Sequence, residues 1–170
     1  NVGTIETRKN LIAIINAMSI MKINIPLVVI GKKTAYMNFI KIQIKKINFD
    51  ISKIIFLENV SINELPQIYK LSSLFVYPSL FEGFGIPILE SLYSGIPVIS
   101  SKGGCFSEAG GPNSKYVDPQ DKEEFAFQIE ECLNNSQLRK KMSEMGKKYA
   151  QNFNPKKLSN QLNDVYKGLL

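Results

Sequence analysis

Two carboxylates, two glycines and a basic pair are the residues of this chain best suited to chemistry. The run Tyr77-Pro-Ser-Leu-Phe-Glu-Gly-Phe-Gly-Ile-Pro-Ile-Leu-Glu-Ser91 sets Glu82 and Glu90 on either side of Gly83 and Gly85. Pro87 is of the type favoured at the first position of a helix. The glycines therefore form a flexible loop feeding a helix N-terminus, whose free N–H groups and positive dipole end suit a phosphate or sugar oxygen. Spacing alone leaves both acids open to a plainer role as capping or dipole partners of that helix. Near the start, Arg8 and Lys9 supply two adjacent cations. By spacing these fit a solvated first turn of a helix equally well.

Several classes of chemistry are excluded. The 170 residues contain no histidine, which removes Ser-His-Asp and Cys-His arrangements, His-ligated metal sites and the commonest general base near neutral pH. Catalysis here must use carboxylates, lysines, backbone or substrate groups. Cys105 and Cys132 form no C-x-x-C pair and are too few for a disulfide framework, so a reducing, cytoplasmic compartment is expected. Residues 1–60 carry nine Lys and Arg against three acids, residues 61–135 four against ten, and residues 136–170 eight against two. Most of the lysines fall opposite apolar stripes, so they read as solvated helix faces and no nucleic-acid partner is expected. With 44% hydrophobic and 21% charged residues the chain has the composition of a globular domain, and its apolar runs, such as Leu27-Val28-Val29-Ile30, are far shorter than the roughly 20 residues a membrane-spanning helix needs.

The elements that must position these residues alternate in type. Val2-Gly3 is expected to close a strand whose beginning lies upstream, and residues 8–21 carry Leu11, Ile12, Ile15 and Met18 at helical spacing. Short apolar strands follow at Pro26 to Ile30, Lys53 to Leu57, Leu74 to Tyr77 and Pro97 to Ser100, with a sixth near Tyr116-Val117. Between them lie helices bearing Met37, Ile40, Ile44 and Ile47, then Leu65, Ile68 and Tyr69 behind a Ser61/Glu64 capping box, then Pro87 to Ser94. Parallel neighbours need crossovers and every crossover here is helical, so the expected fold is α/β, a Rossmann-like, doubly wound, mostly parallel sheet. Its ligand belongs at the carboxyl ends of the strands, after Gly3, Gly31, Leu57, Tyr77 and Ser100. The last third is helical, with Asp121/Glu124 capping a helix through Phe125, Ile129 and Leu133, a second bearing Leu138, Met142, Met145 and Tyr149, and a final one from Pro155 to Leu170.

The segment from Glu82 to Glu90 resembles the E-x7-E signature of the retaining, GT-B fold glycosyltransferases of family 4. Further motifs agree in order: Gly3-Thr-Ile-Glu-Thr-Arg8-Lys9-Asn10, Tyr77-Pro78-Ser79, Ser94 to Ser100, Glu108-Ala109-Gly110 and Val117-Asp118-Pro119. The likeness covers residues 1–170 as one unit and matches only the C-terminal, donor-binding half of such an enzyme. It implies that Lys9 with Arg8 neutralises the diphosphate of a nucleotide-sugar beside Gly3. It further implies that Glu82 contacts the transferred sugar, that amides of Gly83, Phe84, Gly85 and Ile86 hold sugar and phosphate oxygens, and that Glu90 binds ribose hydroxyls. No metal or other cofactor is implied. The acceptor, a saccharide or lipid-linked chain in cell-surface or capsular polysaccharide synthesis, would be held by the missing N-terminal half. Peripheral association of the full-length protein with the inner face of the cell membrane is compatible with this. Three departures stand out: Thr4 replaces a common arginine, Glu58-Asn59 follows Leu57 where glycine is common near the nucleobase, and Ser107 stands where proline is frequent. Two other readings keep part of this picture. A non-catalytic nucleotide or sugar-phosphate module needs the loop but not Glu82 facing a sugar, and an interaction module built on lysine-rich helices needs no nucleotide site.

Overall fold

The structure, a computed structural model, describes residues 1–169; Leu170, the last residue of the expected final helix, lies outside them. Helix α1 (Leu11–Ile20), strand β1 (Leu27–Ile30), α2 (Tyr36–Lys46), β2 (Ile54–Leu57), α3 (Leu65–Leu71), β3 (Phe75–Tyr77), α4 (Ile86–Tyr93), β4 (Val98–Ser101), α5 (Phe106–Gly110) and β5 (Lys115–Val117) alternate along the chain. Helices α6 (Lys122–Asn134), α7 (Ser136–Ala150) and α8 (Pro155–Lys167) follow. All strand pairs are parallel: β1 with β2, β3 with β4, and β4 with β5.

Residues 1–3 sit at the seam between the two groups of strands. Val2 forms a parallel bridge to Ile30, the Gly3 N–H donates to the Ile30 carbonyl at 2.8 Å, and the Asn1 side-chain amide reaches the Val76 carbonyl at 2.9 Å. Counting this segment as the first strand, the spatial order is 3-2-1-4-5-6, that of a dinucleotide-binding doubly wound sheet. An apolar cavity of about 570 Å³ opens along the same seam, bordered by Val2, Ile14, Val28, Leu74 and Val76. None of the acids and cations singled out above lines it.

Strand alternation explains how both faces are covered. Phe75, Tyr77 and Val98 pack with Ile88 and Leu92 of α4, Phe106 and Ala109 of α5 and Ala150 of α7. Their neighbours Val76 and Ile99 point the other way, into a cluster with Leu11, Ile14 and Ile15 of α1, Ile40 and Ile44 of α2, and Phe125 and Ile129 of α6. Successive strand residues face opposite sides, so a sheet buried on both must read as a continuous apolar run, as Leu74 to Tyr77 does.

Local chemistry fixes the helix starts. Ser61 and Glu64 bond reciprocally, backbone N–H to side chain, at 2.8 and 3.3 Å, and the Asp121 carboxylate accepts the Glu124 N–H at 2.9 Å. Helix α1 differs from its expected extent. Residues Thr7–Lys9 form a separate 3-10 turn, and Asn10 adopts a left-handed conformation before α1 begins at Leu11. Helix α8 carries an apolar stripe of Leu158, Leu162 and Val165 that is exposed throughout, as is Leu169 just beyond it.

Candidate functional site

The 3-10 turn brings the basic pair to the acidic loop. With Asn10 left-handed, the turn docks against the chain leaving β3: the Leu80 N–H donates to the Arg8 carbonyl at 2.8 Å, and the Asn10 side-chain amide to the Pro78 carbonyl at 3.2 Å. Arg8 Nη1 reaches the Phe81 carbonyl at 2.9 Å. Arg8 and Lys9 are thereby held beside Glu82, which lies 73 residues beyond Lys9 along the chain.

Lys9 is not a solvated helix residue. Only 8% of it is exposed; its ammonium donates to the Tyr77 hydroxyl at 2.6 Å and to Glu82 Oε1 at 2.7 Å. Glu82 Oε1 also lies 2.8 Å from Arg8 Nη1, and Arg8 Nη2 lies 2.7 Å from Glu6. One carboxylate oxygen thus bridges two cations. Burial alone would raise the Glu82 carboxyl, but its polar neighbours, Lys9 first and then Ser79 and Arg8, outweigh it and hold the group below its ordinary value. Tyr77, fully buried, is pushed well above the usual phenol range, by burial first and by Glu82 second. The Ser79 hydroxyl lies against the same groups, yet it is the one buried side-chain polar atom without a hydrogen-bond partner among the described residues.

Gly3 makes room for this arrangement. Its φ of +138° is a conformation that favours glycine, and a Cβ there would come within 2.9 Å of Lys9 Cε, which passes over the strand end. Gly85 plays a different part. At φ 103° it is the N-cap of α4, a left-handed position that turns the loop into the helix. Among the described residues, the amides of Gly83, Phe84, Gly85 and Ile86 donate to no protein acceptor, and Pro87 has none. Four N–H groups in this loop and at the start of α4 are therefore without a protein acceptor.

Glu90 is half-buried on α4 and accepts a hydrogen bond from the Tyr69 hydroxyl at 3.1 Å, which fixes Oε2. Burial first, and Glu90 second, push the Tyr69 phenol far up. Beyond the end of β2 an open depression of about 510 Å³ is lined by Leu57, Glu58, Asn59, Asn63 and Glu64, among others. Glu58 is tied there to Lys33 at 2.8 Å.

The structure brings Gly3, Arg8, Lys9 and Glu82 into one cluster and sets Gly83 to Ile86 directly after it. Glu90 stands on the same helix that this loop starts, but outside the cluster's hydrogen bonds. Sequence reasoning passed over the partners Tyr77, Tyr69 and Glu6. The Cys105 thiol also reaches this site, donating to the Glu82 carbonyl at 3.2 Å. Strand alternation could have placed Tyr77 inside, but only tertiary structure shows its hydroxyl on Lys9. No group of three or more His, Cys, Asp or Glu able to hold a metal ion occurs among the described residues, and no described helix is long and apolar enough to cross a membrane.

Comparison with known proteins places this site in context. The family model described as Glycosyl transferases group 1 matches residues 1–149. The chain is 28% identical over 170 residues to O-antigen chain mannosyltransferase B of Escherichia coli, covering 98% of this chain and 44% of that protein. It is 32% identical over 129 residues to O-antigen chain mannosyltransferase RfbU of Salmonella typhimurium, covering 75% of this chain and 36% of that one. It spans less than half the length of both relatives. Among solved structures, the C-terminal domain of a group 1 glycosyl transferase (LpcC) of Francisella tularensis aligns with a TM-score of 0.76 at 28% identity, over 89% of this chain and 83% of that one. Anabaena HepE in complex with UDP aligns with a TM-score of 0.86 at 21% identity, over 98% of this chain and 48% of that one, and shares the fold.

Proposed function

The chain belongs to the group 1 glycosyl transferases, and from that premise we propose that it binds a nucleotide-diphosphate sugar and is the donor half of an enzyme transferring the sugar, with retention, to an acceptor hydroxyl in cell-surface polysaccharide synthesis. The observation that carries this is the convergence of Lys9 and Arg8 on one anionic oxygen, 2.7 and 2.8 Å away, at the mouth of a loop with four free amides. That is the donor set a diphosphate needs, placed at the carboxyl ends of the strands where such sheets hold ligands.

The roles follow from position. Lys9 and Arg8 meet the diphosphate and stabilise negative charge as the leaving phosphate departs, which supplies by side chains the neutralisation that a metal would otherwise give. The amides from Gly83 to Ile86 take sugar and phosphate oxygens, and Glu82 faces the sugar. Glu90, with one oxygen held by Tyr69, offers the other to ribose hydroxyls in a charge-assisted hydrogen bond. The depression beside Glu58 and Asn59 takes the nucleobase. The acceptor, a saccharide or a lipid-linked chain at the inner face of the cell membrane, is reached through the other half of the full-length protein.

Two measurements test this. Thermal melting against UDP-, GDP- and ADP-sugars should reveal a ligand; at a hundredfold excess over Kd one such ligand adds about 2.7 kcal/mol, or roughly 5 to 11 °C for a domain of this size. Incubated with labelled donor and saccharide or lipid-linked acceptors, this chain should give no product while the full-length protein does, because orienting both reactants supplies roughly 7 to 11 kcal/mol of a barrier and one wall of a cleft cannot do so. Acceptor-dependent product from this chain at a rate comparable to the full-length protein would refute the two-part reading. Absence of any nucleotide binding would shift the weight to an interaction module.

A further inference from the structure

The cations of the site are already neutralised before any ligand arrives. Arg8 and Lys9 supply two positive charges; Glu6 and Glu82 supply two negative ones, each within 2.8 Å of a cation. Glu82 is the more deeply placed of the two acids, with 11% of its side chain exposed against 39% for Glu6. A diphosphate seated between Lys9 and Arg8 competes with Glu82 for hydrogen bonds that Glu82 now holds. Lys9 has three N–H donors, of which Tyr77 takes one and Glu82 another.

We propose that Glu82 is a specificity-determining residue that discriminates donor from product: in the free domain its carboxylate occupies the seat of a phosphate oxygen between Lys9 and Arg8, and it yields that seat to a nucleotide-diphosphate sugar far more readily than to a nucleoside diphosphate. This rests on the reading under Proposed function. The difference comes from where the displaced carboxylate goes. A sugar on the diphosphate offers hydroxyl donors that satisfy the ejected oxygens. A nucleoside diphosphate offers none at that position, its ribose hydroxyls lying at Glu90, so displacement leaves an ionised, mostly buried carboxylate without its partners, a costly state. The carboxylate is ionised at neutral pH because its two cations hold its pKa down. The site is thereby biased against retaining the product once the sugar has left.

The test is calorimetric titration of the chain with UDP, GDP and ADP and with UDP-glucose, GDP-mannose and ADP-glucose, using the nucleotide that binds the unsubstituted chain best. In Glu82→Gln, affinity for the nucleoside diphosphate should rise about tenfold or more, while affinity for the matching nucleotide-sugar rises less or falls. Glu6→Gln removes the same charge from the same cluster without vacating the seat, and should strengthen diphosphate binding by less than about threefold. Should Glu82→Gln fold poorly, Glu82→Asp, which keeps the charge but withdraws it by one methylene, should still strengthen diphosphate binding measurably. Unchanged or weaker diphosphate binding in a folded Glu82 variant overturns the proposal while leaving the nucleotide-sugar reading intact. An equal gain in Glu6→Gln also overturns it, since charge alone would then suffice. If neither nucleotide nor nucleotide-sugar binds any of these chains, the reading beneath it fails and the proposal with it.

Discussion

Replacing Lys9 by methionine removes the ammonium and keeps most of the apolar stem that passes over Gly3. The bare attraction between an ammonium and a phosphate oxygen about 4 Å apart is roughly 4 kcal/mol at an effective dielectric near 20. That figure overstates the loss, because in the free domain the same ammonium already holds Glu82 at 2.7 Å. Binding exchanges one anion for another, and what the substitution removes is closer to one charge-assisted hydrogen bond, about 1.5 to 3 kcal/mol. Diphosphate affinity should fall about 10- to 150-fold, with nucleoside affinity unchanged. Stability should fall too, toward the lower end of the same range, because Arg8 still pairs with Glu82 at 2.8 Å. In a Glu82→Gln background the same substitution should cost more binding, since Lys9 is then wholly available to phosphate; groups sharing a network are not additive. Calorimetry with a nucleoside diphosphate and its nucleoside, beside urea unfolding, separates the effects. Equal losses for nucleoside and diphosphate would mean that Lys9 acts through the fold and would refute the phosphate assignment.

Glu90→Gln should weaken ribonucleotide binding by about 1 to 3 kcal/mol, and a 2′-deoxynucleotide, lacking one hydroxyl partner, should lose less; a shift in melting temperature with no change in ribose dependence would return Glu90 to a helix-dipole role.

Much of the fold is legible because its signals are local. Each apolar run that became a strand is bounded by turn residues, and both capping pairs, Ser61/Glu64 and Asp121/Glu124, sit at or within a turn of a helix start. The misses share a cause. The 3-10 turn at Thr7–Lys9 reads as helix because Arg8 and Lys9 have good helical propensity, and only docking against Pro78 and Leu80 holds Asn10 left-handed and breaks the pattern. Helix α5 has no comparable signal, because its five residues offer barely more than one turn of periodicity.

The candidate site is legible to a different depth. The free amides before α4 follow from two glycines and a proline at fixed spacing, a property of the local chain. The meeting of Lys9 with Glu82 follows from nothing local, since 73 residues and three strands intervene; only the resemblance set them in one site, and it gave each a ligand rather than each other. That pairing changes what the charges mean. Two cations beside a glycine loop suggest an open anion site, whereas two cations sharing a carboxylate oxygen make a closed one, whose affinity depends on what the incoming molecule offers the carboxylate it displaces. Identical residue types at identical spacings are compatible with either state, and geometry of about 2.7 Å, together with the burial of Lys9 and Glu82, decides between them.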